Sequence, residues 1–160
     1  MLKQLNYQQR HRGIGEGPVA VTTTDIIPAA PERTFQVAAD PETQLRWDAG
    51  TLQSVEKLTP GPLGKGSRYR GRFKGMGTVE YEFAEYDAPR RFAHRTRVPF
   101  GVMNHRLTFE PAAEGTRLTQ EGWLEPNLIG RVIAPIANRL LSRRLPLVAR
   151  ELQDYLETQA

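Results

Sequence analysis

Two histidines and a glutamine are the residues of this chain best placed to do chemistry. His94, His105 and Gln120 lie in "RFAHRTRV", "VMNHRLTFE" and "TRLTQEG", three segments whose apolar residues recur at every second position. A strand turns alternate side chains to opposite faces. The three polar groups therefore share a face with Tyr69, Tyr81, Phe83, Phe92, Thr96, Met103 and Leu107. Turns placed about Met76, between Ala88 and Pro89, through "PFG" and near Ala112 and Ala113 set Phe83, His94, His105 and Gln120 in one row across four strands. Buried polar groups cost free energy unless hydrogen-bonded. Three readings of the row stay open. Its members satisfy one another and buried water; or they bind the polar end of a ligand; or His94 and His105 are catalytic and move a proton, since imidazole titrates near neutrality.

Other chemistries find no support. Two histidines lack a third ligand, because Glu80 and Glu82 take the opposite parity, so no metal site is expected. There is no Ser-His-Asp set, phosphate loop or nucleotide fingerprint, and "GIGEG" follows no strand, so no cofactor is expected.

The opposite parity carries charge. In "RYRGRFKG", Arg68, Arg70, Arg72 and Lys74 would line one face of a strand. The same turns place Arg72 opposite Glu80 and Arg70 opposite Glu82, then Glu82 opposite Arg95 and Glu80 opposite Arg97. Facing opposite charges stabilise a sheet, so the stripe reads as a solvated convex face rather than an anion-binding surface. Trp123 also has outward parity, where the N-terminal tail or a second subunit in a homodimer could cover it.

The elements that must hold these residues follow from period and punctuation. Val19 to Ile27 is a β-branched strand. Pro31 and Pro41 suit first helical positions, Asp40 suits an N-cap, and two short helices follow, the second ending at Trp47. Six strands come next: Thr51–Leu58, Ser67–Lys74, Thr78–Tyr86, Phe92–Val98, Val102–Glu110 and Thr116–Leu124. Short links make them antiparallel neighbours. Asn127 to Thr158 has helical period, with Leu128, Val132, Ile136, Leu140, Val148, Leu152 and Tyr155 assigned to its core face. Pro135 and Pro146 predict a break or kink in it. One sheet must bury its apolar face against this helix, and a cavity between them is expected to be lined by Trp47, Tyr69, Tyr81, Phe83, His94, Thr96, Met103, His105 and Gln120.

The chain has 160 residues, 39% hydrophobic and 25% charged, enough for one domain. It divides into a flexible basic tail, 1–18, and a folded domain, 19–160. It has no cysteine, which suits the cytoplasm, and "MLKQLNYQQRHR" has no apolar stretch that could serve as a signal peptide. The formal charge is +4. Residues 1–12 and 126–150 together hold eight cations and no acid, so the remainder nets −4. The body is not basic, and nucleic acid is not an expected partner. Arg131, Arg139, Arg143, Arg144 and Arg150 cluster on the long helix, as a solvated face or as a transient contact with an anionic membrane surface.

In order, "IPAAPERTF", "DPETQLRW", "GPLGKGSRYR", "EYDAPRRFAHRT" and "LTFEPAAEGTRLTQEG" resemble the START-like (SRPBCC) superfamily, closest to its polyketide cyclase/dehydrase-like branch, from about Val19 to Glu157. Ala30 stands where that pattern often has proline, and the tail before Val19 has no counterpart in it. The resemblance implies an α+β helix-grip fold, a seven-strand antiparallel sheet around a long C-terminal helix. It further implies an apolar or aromatic ligand, lipid or polyketide-like, or alternatively a cyclase/dehydratase using the cavity histidines.

Overall fold

The computed structural model describes residues 20–48 and 50–160; the tail and Val19 lie outside them. Seven antiparallel strands form one sheet: β1 Val21–Ile27, β2 Leu52–Lys57, β3 Arg68–Phe73, β4 Gly77–Asp87, β5 Arg91–Val98, β6 Gly101–Ala112 and β7 Gly115–Pro126. Their order is β1-β7-β6-β5-β4-β3-β2. Every neighbouring pair except β1–β7 is consecutive in sequence, as short links demand. Helices α1, Pro31–Ala39, and α2, Pro41–Trp47, follow β1; α3, Leu128–Thr158, ends the domain. This is the expected α+β helix-grip fold.

Local chemistry starts each helix. Pro31 and Pro41 occupy first-turn positions, where a missing N–H leaves no bond unmade. Asp40 caps α2, accepting from the Glu42 N–H at 3.0 Å and from the Thr43 hydroxyl at 2.7 Å. Asn127 caps α3 through its side-chain oxygen and the Gly130 N–H, 2.9 Å apart. The core is aromatic: Phe35 of α1 meets Tyr86, Phe92 and Phe109 edge-on at centroid distances of 5.3–5.7 Å.

Helix α3 departs from expectation in two ways. It runs unbroken through Pro135 and Pro146. Both prolines are exposed, so the carbonyls they free face solvent and can be hydrated. Its core face is the expected one only in the C-terminal half, where Val148 and Leu152 are buried as expected. Gly130, Ala137, Leu145, Val148, Ala149, Leu152 and Leu156 are buried, while Leu128, Val132, Ile136 and Leu140 are exposed. Steps of four advance 40° past a full turn, so that run winds away from the stripe that contacts the sheet.

Two hairpins are shifted by two residues from the expected register, which preserves parity. Phe73 pairs with Gly77, centring the β3–β4 turn on Gly75 rather than Met76. Gly75 and Gly77 have φ of 83° and 81°, a region glycine enters freely and methionine does not. Consequently Arg70 faces Glu80 and Arg68 faces Glu82, while Arg72 faces Thr78. The β6–β7 turn closes at Ala112 and Gly115, so Gly122, not Gln120, lies opposite His105. Between β4 and β5 the expected pairs Phe83–His94 and Glu82–Arg95 form, and a bulge at Ala84 absorbs the remaining residue.

Candidate functional site: a polar layer on the concave face

The inward residues stack in layers along the strands. The lowest, with Phe109 opposite Leu118, and the next, Phe92–Leu107–Gln120–Thr23, are closed over by α1 and the C-terminal half of α3. Above them lies Phe83–His94–His105–Gly122, and above that Tyr81–Thr96–Met103–Leu124. In the upper layers Thr96, Met103 and Val98 are only half-buried, while Tyr81 and Leu124 at the layer's edges are buried. The concave face is thus filled at one end and partly open at the other, with the histidines at the boundary.

Gln120 is fully buried and fixes the layer's hydrogen bonding. Its amide nitrogen donates to the Leu145 carbonyl of α3 at 2.8 Å, and its Oε1 lies 3.0 Å from His105 Nε2. A carbonyl only accepts, so the NH2 end of the amide must face Leu145 and Oε1 must face the histidine. His105 Nε2 therefore carries the proton and donates, leaving Nδ1 with a lone pair. Burial, then the nearby Arg144 charge, holds the His105 pKa down at about 4, against the raising effect of the Gln120 bond. Burial, with a smaller contribution from His105, lowers His94 to about 3. Both imidazoles are neutral at pH 7.

His94 sits among rings, 4.5 Å from Phe83, 5.0 Å from Tyr81 and 5.2 Å from Phe92 by centroid. Its Nε2 and the Tyr81 hydroxyl are buried without a hydrogen-bond partner. Burial raises the Tyr81 pKa, so the hydroxyl stays a donor. Two unpaired polar atoms on neighbouring side chains are a costly arrangement for a core. Tyr69 stacks on Tyr81 at 5.8 Å. Trp47 is set apart, its indole donating to the Val37 carbonyl and tying α2 to α1. Clefts of about 510 and 540 Å³ lie off this layer. The first lies at the hairpin tips and takes in Thr78, Glu80 and Arg97 of the convex side together with Met76, Val79, Val98 and Phe100.

A charged link beside the site is not apparent from the sequence. Arg144 reaches from α3 to Asp48 at 2.5 Å, and to Glu151 at 3.3 Å. Asp48 is 2% exposed and also accepts from Gln44. Arg144 thus leaves the basic outer face. The spacing of seven between Arg144 and Glu151, two helical turns, is the available signal.

On the convex face the cationic stripe is partly paired. Glu80 takes both Arg68 at 3.0 Å and Arg70 at 2.9 Å, and Arg70 also meets Glu56. Arg95 turns from Glu82, opposite it, to Glu125. Trp123, outward as expected, is 1% exposed beneath the Arg106 guanidinium, 5.2 Å from its ring centre. Arg106 is itself held by Glu85 and Glu121.

A family profile described as polyketide cyclase / dehydrase and lipid transport matches residues 18–157. The chain belongs to that family. Solved structures agree on the fold. A START superfamily protein from Mycobacterium smegmatis superposes with a TM-score of 0.74 at 18% identity, over 88% of this chain and 98% of that one. A protein from Thermus thermophilus gives 0.70 at 22%, with the same coverage. Ara h 8.0201 gives 0.59 at 12%, over 86% of this chain and 97% of that one. No curated protein matches significantly. Among the described residues, no helix is long and apolar enough to cross a membrane.

Proposed function

We propose that this protein binds an apolar or aromatic small molecule that carries an oxygen, lipid or polyketide-like, in the cytoplasm. The guest lies on the open upper layers between Tyr81, Thr96, Met103 and the N-terminal half of α3. The observation that carries this reading is the pair of partnerless buried atoms, Tyr81 Oη and His94 Nε2, beneath a half-open apolar face. Together they offer a donor and a tautomer-adjustable group to one carbonyl, hydroxyl or carboxyl. Native mass spectrometry against a panel of fatty acids and aromatic polyketides tests it. The expected result is stoichiometric capture that weakens in Tyr81→Phe and His94→Gln. Capture of nothing in the panel, or capture indifferent to both changes, counts against it.

The family description and the fixed His105 tautomer favour a second reading, a cyclase or dehydratase. Neutral His105 Nδ1 would be its base and His94 a hydrogen-bonding partner of the substrate. In that case His105→Gln abolishes turnover while leaving affinity nearly intact; parallel loss of binding and rate returns the assignment to a carrier.

A further inference from the structure

The outer face of α3 is apolar where a solvated helix is polar. Leu128, Ile129, Val132, Ile136 and Leu140 are between 61% and 80% exposed, and Leu147 is 44% exposed. On a 3.6-residue helix these residues share one broad stripe with Arg139, Arg143 and Arg150, flanked by Arg131. All four arginines are exposed. No acid occurs from Pro126 to Arg150, and the helix's one inward arginine, Arg144, is the one paired with Asp48 and Glu151. Isolated surface aliphatics need no explanation, but a contiguous set marks an interaction surface.

Charge selects what covers it. A two-fold contact with a second copy would bring these arginines against their own counterparts, with no acid to offset them. The residue 1–12 segment is cationic as well and is equally disfavoured as a cover. An anionic bilayer satisfies both components, taking aliphatic side chains into its acyl boundary and guanidinium groups at its phosphates. We propose that the outer face of α3 from Leu128 to Leu147 docks on an anionic lipid surface.

The place of the stripe gives docking a use. The start of α3 is seated on the β5–β6 turn, where the Asn127 amide donates to the Pro99 carbonyl at 2.9 Å. That turn and the β3–β4 turn, where Met76 is 50% exposed, lie at the strand ends next to the upper layers of the concave face. A docked helix therefore holds the open layers close to the membrane, where an apolar guest exchanges with least exposure to water. The docking rests on the stripe alone and does not depend on the ligand reading.

Co-sedimentation of the full chain with phosphatidylcholine vesicles, with and without phosphatidylglycerol, tests this at low and high salt. Binding is expected only with phosphatidylglycerol and is expected to weaken with salt. Replacing Arg131, Arg139 and Arg143 by Gln together should weaken it on the order of 100-fold. Val132→Ser with Ile136→Ser should weaken it at least about tenfold, since burying aliphatic area contributes the remainder. These side chains lie outside the core, so thermal melts should match the parent. Replacing Lys3, Arg10 and Arg12 by Gln should leave most of the binding. Equal binding to neutral vesicles, no binding to anionic ones, unchanged helix variants, or loss through the residue 1–12 variant alone overturns the proposal. So does analytical ultracentrifugation showing a dimer that Val132→Ser with Ile136→Ser dissociates, which would make the stripe an interface between copies.

Discussion

Gln120 lies opposite Leu107, not His105, yet its side-chain oxygen sits 3.0 Å from His105 Nε2. Diagonal neighbours across an antiparallel pair are within reach of a long side chain. The residue opposite His105 is Gly122, and the side chain over it is Leu141 of α3: a Cβ at Gly122 would lie 3.4 Å from Leu141 Cδ1. Glutamine one position lower and glycine at the level of the histidine together let α3 approach while the amide bridges imidazole and helix carbonyl. Gln120→Leu keeps the volume and removes both bonds, leaving His105 Nε2–H and one lone pair of the Leu145 oxygen unpaired. A loss of about 1–3 kcal/mol is expected by urea denaturation. His105→Gln should cost less, because an amide can take over the bond to Gln120.

The two histidines also make stability depend on pH. Their folded pKa values, about 3 for His94 and about 4 for His105, lie below the ordinary value of about 6.5. Below pH 6.5 the unfolded chain therefore binds protons that the folded chain refuses. The stability conferred by the neutral imidazoles is complete above pH 6.5 and is lost as pH falls toward about 4 for His105 and about 3 for His94. The slope is up to about 1.4 kcal/mol per pH unit for each histidine. Between pH 6.5 and 5, where most carboxylates remain ionised, denaturant midpoints should fall steeply in the parent. In His94→Gln with His105→Gln the slope should flatten. A parent midpoint that does not change over that interval contradicts the burial argument.

What the sequence discloses is parity; what it conceals is register and the direction of α3. Alternation assigns the inward residues correctly wherever the strands are regular, because a shift of two leaves each side chain on its face; it misses Tyr86, which the bulge at Ala84 turns inward against Phe35 and Phe83. The shifts themselves come from where Gly75, Gly77 and Gly115 take positive φ, and a "GMG" or "AAEG" link admits more than one placement. Periodicity misassigns the α3 stripe because Leu128, Val132, Ile136 and Leu140 satisfy a helical period as well as the true core residues do. Only the packing of Gly130 and Ala137 against the fold decides between the faces, and small residues carry little weight in an apolar count. Arg144 is hidden for the complementary reason: one inward arginine among five looks like its neighbours until Asp48 is placed beside it.

That pair yields a further expectation. Asp48 is almost fully buried, so removing Arg144 strands a carboxylate whose remaining side-chain hydrogen bond is from Gln44. Breaking a buried pair from one side costs about 3–5 kcal/mol; with Arg144 partly exposed, about 2–3 kcal/mol is expected for Arg144→Met. Asp48→Asn should cost less, and the double variant less than the sum. A double-mutant cycle measures the coupling. Additive losses would show that the 2.5 Å contact contributes nothing specific.

The seat of α3 on the β5–β6 turn can be tested at one atom. A Cβ built on Gly130 would lie 2.0 Å from the Phe100 carbonyl oxygen and 2.9 Å from Pro126 Cβ. The first of these is backbone, so no rotamer change relieves it. In an open helix glycine to alanine stabilises by about 1 kcal/mol. At this position the clash must displace either the turn or the first turns of α3, and overpacking of this kind costs about 1–3 kcal/mol. The two effects oppose, and backbone against a new Cβ at 2.0 Å leaves the clash dominant. Gly130→Ala is therefore expected to lower stability despite its better helix propensity. The damage should be local. Hydrogen exchange should speed up at residues 128–134 and 98–102, while β1 and the C-terminal half of α3 keep their protection. An alanine variant as stable as the parent, with unchanged exchange at those residues, would show that α3 does not depend on this close approach for its position.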